Sequence, residues 1–134
     1  MLRLTLFMLV IAAPALAFQT DCPLVDPDSP DHKLAGAHPS YGDEDGGDMT
    51  TEVRRGDIWH STEVPQPWNN LNATLTCAYV GPHGRGRDIV LKIPGRILRC
   101  DWLGQDVLKP QPVKPGTGGP TETRFLRVWC TSRP

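Results

Sequence analysis

No stretch of this chain sustains an apolar repeat of about 3.6 residues between helix caps, so a long helix is not expected anywhere along it. Outside its first residues there is also no apolar run near the ~20 residues that span a bilayer. An excess of one charge is missing as well: 14 Lys and Arg face 15 Asp and Glu, a formal charge of −1. Attraction to a polyphosphate backbone needs a net basic face, so no nucleic-acid partner is expected. The cysteines lack C-x2–4-C spacing and none is near a histidine in sequence, which argues against structural zinc. The chain has no H-x-H or H-E-x-x-H pairing and no G-x-S-x-G elbow, so the common zinc-hydrolase and serine-hydrolase layouts are excluded.

What is present begins with "MLRLTLFMLVIAAPALA". One basic residue (Arg3), an apolar run from Leu4 to Ala13 and the A-x-A pattern Ala15-Leu16-Ala17 have the anatomy of a secretory signal, cleaved after Ala17. The run is too short for an anchor, so no stable membrane insertion is expected once it is removed. Cys22 follows "FQTD" rather than the small-residue stretch that lipid modification uses. Removal of residues 1–17 takes only Arg3 from the charge count and leaves one domain of ordinary size. All four cysteines, Cys22, Cys77, Cys100 and Cys130, lie beyond it. An even number in an exported chain predicts two disulfides, with three connectivities to choose from.

Residues 18–48 are rich in Asp, Pro and Gly, as in "DCPLVDPDSPDH" and "YGDEDGGD", and read as an irregular acidic leader. A short edge strand is expected within "HKLAGAHPSY", with Pro39 at an edge or bulge. Residues 49–134 read as an antiparallel β domain. "MTTEVRRGDIWHS" carries strand formers split by Gly56. "LNATLTCAYV" alternates Leu71, Ala73, Leu75, Cys77 and Tyr79 with polar residues, the period-2 mark of a half-buried strand. "DIVLKI" places Ile89, Leu91 and Ile93 on one face. "RILRCDWL" sets Leu98, Cys100 and Trp102 opposite Arg99 and Asp101, and "RFLRVWC" groups Leu126, Val128 and Cys130. The fold class expected is mainly β: a single small antiparallel sandwich or partly open barrel.

Strands near 97–103 and 124–130 would run antiparallel across the Pro/Gly-rich loop between them. Cys100 then falls opposite Cys130, each on the apolar set of its strand. Cys22 is left to tie the leader to Cys77 on the central strand. The expected bridges are therefore Cys22–Cys77 and Cys100–Cys130.

"WNNLNATLTCAY", "IPGRILRC" and the terminal "VWC", with Cys22-Pro23 and Leu34-Ala35-Gly36, resemble an uncharacterised family of small exported bacterial envelope proteins. That family shows an L-x-C-x-Y strand, an apolar strand ending in (L/I)-P, a following Cys and a final Cys. The resemblance spans most of residues 18–134 and implies export and a β-rich fold. Its motifs are cysteine and packing positions, so it transfers no catalytic residue.

Several clusters are candidate sites. Asp43, Glu44, Asp45 and Asp48 in "DEDGGD" form the best metal candidate, a loop of hard oxygens suited to Ca²⁺, although the order of an EF-hand fails because Arg54 stands where its last ligand would be. A solvated acidic turn is the better reading, and no cofactor is expected. His32, His38, His60 and His83 are scattered in sequence; a hydrolase would need one of them to meet Ser40 or Ser61 and a carboxylate in space. In "GPHGRGRD", Gly81, Gly84 and Gly86 are expected to supply positive φ in a hairpin connection, with His83, Arg85 and Arg87 as a basic contact tip. Trp59, Trp68, Trp102 and Trp129 are candidates for core or contact. Phe125, Arg127 and Trp129 alternate along the last strand, as the second layer of a core or as a binding stripe. Asn72-Ala73-Thr74 is a glycosylation sequon with no meaning in a bacterial protein.

The function expected is an exported, non-enzymatic binding or accessory protein of the bacterial envelope, in the periplasm or secreted, with an envelope or secreted protein as partner. The alternatives are a small secreted hydrolase using His, Asp and Ser residues, and a structural or stress-related envelope protein.

Overall fold

A computed structural model describes residues 16–41, 49–65, 72–110, 116 and 118–134. They form β1 (Phe18–Asp21), β2 (Val25–Asp26), β3 (Ser29–Ser40), β4 (Met49–Arg55), β5 (Ile58–Val64), β6 (Thr74–Gly81), β7 (Gly84–Lys92), β8 (Arg96–Leu108) and β9 (Thr121–Arg133). No helix occurs among the described residues. The strands make two antiparallel sheets, one in the order β1-β9-β8-β5-β4 and the other β2-β3-β6-β7. The expected class, a mainly β antiparallel sandwich or partly open barrel with two disulfides, is what the described residues adopt.

The core is a direct product of period-2 patterning. On β6, Leu75, Cys77 and Tyr79 are fully buried while Thr74, Thr76 and Ala78 are only partly so. Across from them the long hairpin β8–β9 contributes Ile97, Cys100, Trp102, Val128 and Cys130. Each fully buried Leu or Val side chain stabilises the fold by roughly 1.5–3 kcal/mol. Two aromatic side chains of this core have their polar atoms satisfied: Tyr79 donates its hydroxyl to Pro23 O at 2.7 Å, and Trp102 donates Nε1–H to Ala37 O at 3.1 Å.

The bridges are Cys22–Cys77 and Cys100–Cys130, and no cysteine is free among the described residues. Cys100 and Cys130 are direct cross-strand neighbours in the β8–β9 register, as their places in the alternating pattern require. Two structural disulfides belong to an oxidising, extracytoplasmic environment.

The structure corrects the expectation of an irregular leader over residues 18–40. That stretch forms β1, β2 and β3, and β3 pairs with β6 from Lys33 to Ser40. Local composition is overridden there by pairing with strands far along the chain. Pro39 sits in β3 beyond its pairing with β2, so its missing N–H breaks no ladder on that side among the described residues. Three bulges alter faces that alternation alone assigns. Leu98 is an extra residue on β8, so Ile97 takes the inner place and Leu98 stays 40% exposed. Leu126 is extra on β9, and Gly86-Arg87 oppose Tyr79 alone between β7 and β6.

Candidate binding cleft and outer-face array

The chain passes from one sheet to the other between β1 and β2. β1 lies antiparallel along the end of β9, pairing Phe18 with Ser132 and Asp21 with Trp129, and Cys22 N donates to Val128 O at 2.9 Å. There the disulfide to Cys77 and the Tyr79 hydroxyl on Pro23 draw the chain toward the second sheet. Leu34 N donates to Leu24 O at 2.9 Å, and β2 continues beside β3. The crossing leaves a cleft of about 760 Å³ whose apolar lining includes Leu24, Val25, Leu34, Val80, Phe125 and Leu126. That volume falls in the range of small-ligand and peptide sites, ~300–1,000 Å³. Leu34 is buried in its wall, whereas Leu24, Val25 and Val80 remain 39–44% exposed, a contiguous apolar surface that burial in the monomer does not account for. Lys33, Glu122 and Arg124 add charge to it.

The outer face of the β1-β9-β8-β5-β4 sheet carries a second assembly. Arg127 donates Nε–H to Asp21 Oδ1 at 2.8 Å and an Nη2 hydrogen to Gln19 Oε1 at 3.0 Å, and its guanidinium lies 4.4 Å from the Trp129 ring centre. The Asp21 carboxylate raises the pKa of Arg127, which keeps it charged. The His60 ring is 5.8 Å from Trp129 on centroids, and its Nε2 meets Asp101 Oδ1 at 2.9 Å. Thr62 donates its hydroxyl to the same oxygen at 2.8 Å. Asp101 is fully buried, and Arg99 Nε lies 3.1 Å from its Oδ2.

Phe125 does not join this array. The Leu126 bulge turns it to the core side, where it meets Trp59 edge-on at 6.1 Å between centroids. Arg127 and Trp129 are brought together as expected, and Phe125 lines the cleft instead. In "GPHGRGRD" only Pro82 and His83 form the turn, so Arg85 and Arg87 belong to β7. His83 is exposed at the tip, Arg85 pairs with Asp88 at 3.0 Å, and Arg87 grips Asp26 through Nε and Nη2 at 2.9 and 2.8 Å. Asp28 is a further partner of Arg87 at 2.7 Å. These contacts, with the Arg87 hydrogen bond foremost, hold the Asp26 carboxyl down at about 2. Burial pushes the neighbouring Tyr79 hydroxyl up, so it remains a donor.

The glycine expectation is corrected in part. Gly84 alone of the three has positive φ, at 114°. Gly81 and Gly86 are required for space: a Cβ on Gly81 would overlap His32 Cδ2 and Nε2, and one on Gly86 would come within 2.9 Å of His32 Cδ2.

The four histidines stay apart, on β3 (His32 and His38), on β5 and at the β6–β7 turn. His60 does meet a carboxylate and a hydroxyl, but Thr62 gives its proton to Asp101 and does not face the free imidazole nitrogen as a nucleophile would. Ser61 pairs with Trp102 on the alternate residue of β5, and Ser40 ends β3. Among the described residues no three His, Cys, Asp or Glu side chains converge as metal ligands. Asp43, Glu44, Asp45, Asp48 and Trp68 lie outside the described residues, as do residues 1–15.

The cleft and the Asp101 cluster escaped sequence reasoning. The cleft depends on the chain changing sheets between β1 and β2, which no local pattern records, and a buried Asp in an alternating strand looks like any outward-facing Asp. Asp26 did carry a signal: "DPDS" is an Asx-turn sequence, and Asp28 N donates to Asp26 Oδ1 at 2.9 Å. The chain matches no protein-family model, no curated protein and no solved structure.

Proposed function

We propose that this protein is an exported, non-enzymatic binding module, an accessory of the bacterial envelope that works in the periplasm or outside the cell. The observation that carries this reading is the open apolar cleft between the two sheets, where Leu24, Val25 and Val80 stay exposed beside buried Leu34. The signal-like residues 1–17 and the two disulfides support export. A rigid, doubly stapled β scaffold suits recognition, because little order is gained or lost when a partner docks. The hydrolase alternative has a carboxylate and an imidazole at Asp101 and His60, but no hydroxyl among the described residues is poised on that imidazole.

The test is affinity capture with cross-linking, using the disulfide-bonded protein as bait in a periplasmic extract. A stable, saturable partner is expected. Recovery of no partner above a reduced, unfolded control would overturn the binding-module reading.

A further inference from the structure

The lining of the cleft shows how it is built. Consecutive residues of a strand point to opposite faces, yet Glu122, Thr123, Arg124, Phe125 and Leu126 all border the same space. A cavity touches both faces of a strand from its edge, so the cleft runs along the open side of β9. Lys33, Leu34 and Ala35 of β3, which is paired with both β2 and β6 there, border it from the opposite sheet. Among the described residues no strand pairs with β9 on that side from Thr121 to Arg127, because β1 covers Trp129–Ser132 and Cys22 N takes Val128 O before the chain turns away. The result is an unpaired sheet edge with an apolar wall opposite it.

We infer that this lane takes an extended peptide segment of a partner protein by strand addition, antiparallel to β9 in the polarity of β1. The inference rests on the binding-module reading above and names its partner class. Backbone N–H and C=O groups on the open edge of β9 supply the pairing, and alternate side chains of the peptide fall against Leu24, Val25, Leu34 and Val80. Lys33 and Arg124 are in no ion pair among the described residues and outnumber Glu122, so the segment carries a carboxylate beside its apolar residues. An acyl chain would bury the edge of β9 without giving its backbone groups partners, which is costly. A second copy of this chain is a poorer occupant: its edge strand β4 reads "MTTEVRR", too polar for the apolar wall, and on the edge strand β7 the Asp88 carboxylate is already paired with Arg85.

The test pans the disulfide-bonded protein against a phage-displayed library of random nonapeptides. The best sequence is then synthesised in two forms, one unmodified and one N-methylated at alternate backbone nitrogens. Enriched peptides should alternate apolar residues and carry Asp or Glu, and N-methylation should weaken binding at least tenfold while leaving the side chains intact. Val80→Glu, at an exposed position, should weaken it at least tenfold with an unchanged melting temperature. Amide shifts on binding should centre on Thr121–Arg127. Equal affinity of the N-methylated peptide, failure of any peptide to enrich, laurate binding in place of peptide, or a concentration-dependent dimer using the same amides would each overturn the inference. A captured envelope partner that binds Val80→Glu as well as wild type would keep the binding-module reading and remove the cleft from it.

Discussion

Arg87 on β7 holds both carboxylate oxygens of Asp26, a residue 61 positions earlier in the chain, in a two-bonded grip. Asp26 is only 2% exposed, and Asp28 N caps the same carboxylate. The pair ties the end of β2 to β7 of the hairpin β6–β7, one residue on from Val25 in the cleft lining.

The Asp26 carboxyl is held at about 2 against an ordinary 3.8, first by its hydrogen bond from Arg87. A folded-state pKa below the unfolded one gives stability that is fully present above the unfolded value and is lost as pH falls through the folded value. Thermal melts of wild type and Arg87→Met should therefore differ most near neutral pH, with the variant less stable. The gap should narrow between about pH 4 and about pH 2. A gap that stayed constant across this range would show that Arg87 acts through packing alone.

Gly81→Ala should destabilise by about 1–3 kcal/mol, because the new methyl overlaps the His32 ring. The same substitution in a His32→Ala background should cost less than about 1 kcal/mol, the mark of direct coupling. Gly84→Ala should be insensitive to His32, since its cost arises from positive φ. Urea unfolding of the three single and two double variants decides the point.

Loss of the Cys22–Cys77 bridge by double substitution to Ser should cost about 4 kcal/mol, from the loop closed over a sequence separation of 55. Hydrogen exchange should then quicken first in residues 18–26, which this bridge cross-links to β6 at the centre of the second sheet. Uniform quickening across β8 and β9 would contradict this local role.

Asp101→Ala removes the acceptor used by both His60 and Thr62 and should cost about 1–3 kcal/mol. His60→Ala should cost less, because its side chain is 44% exposed and water replaces part of its contact. Equilibrium unfolding of the two variants checks the ranking.

The two bridges and the central strands were legible in sequence because they depend on alternation: Leu75, Cys77 and Tyr79 on β6, and Cys100 and Cys130 at matching places on β8 and β9. Alternation failed where a bulge adds a residue, so Leu98 was assigned to the core and Phe125 to the face of Trp129. The sequence was silent over β1 and β2 and read β3 only as a short edge strand within "HKLAGAHPSY"; β1 and β3 are held by partners more than forty positions away, as Leu34 is by Tyr79. The cleft was illegible for the same reason. It is a space between strand edges, set by where Cys22 is tethered, and no residue type marks an edge.

The bridges are also sequential along the chain: Cys22 joins Cys77 before Cys100 begins, and Cys100 joins Cys130. A chain emerging from its N-terminal side into an oxidising compartment presents the cysteines in that order. An oxidant that joins each newly exposed thiol to the one still waiting thus produces the native connectivity at the first attempt. Oxidation in that order reaches this connectivity with no isomerase to reshuffle it.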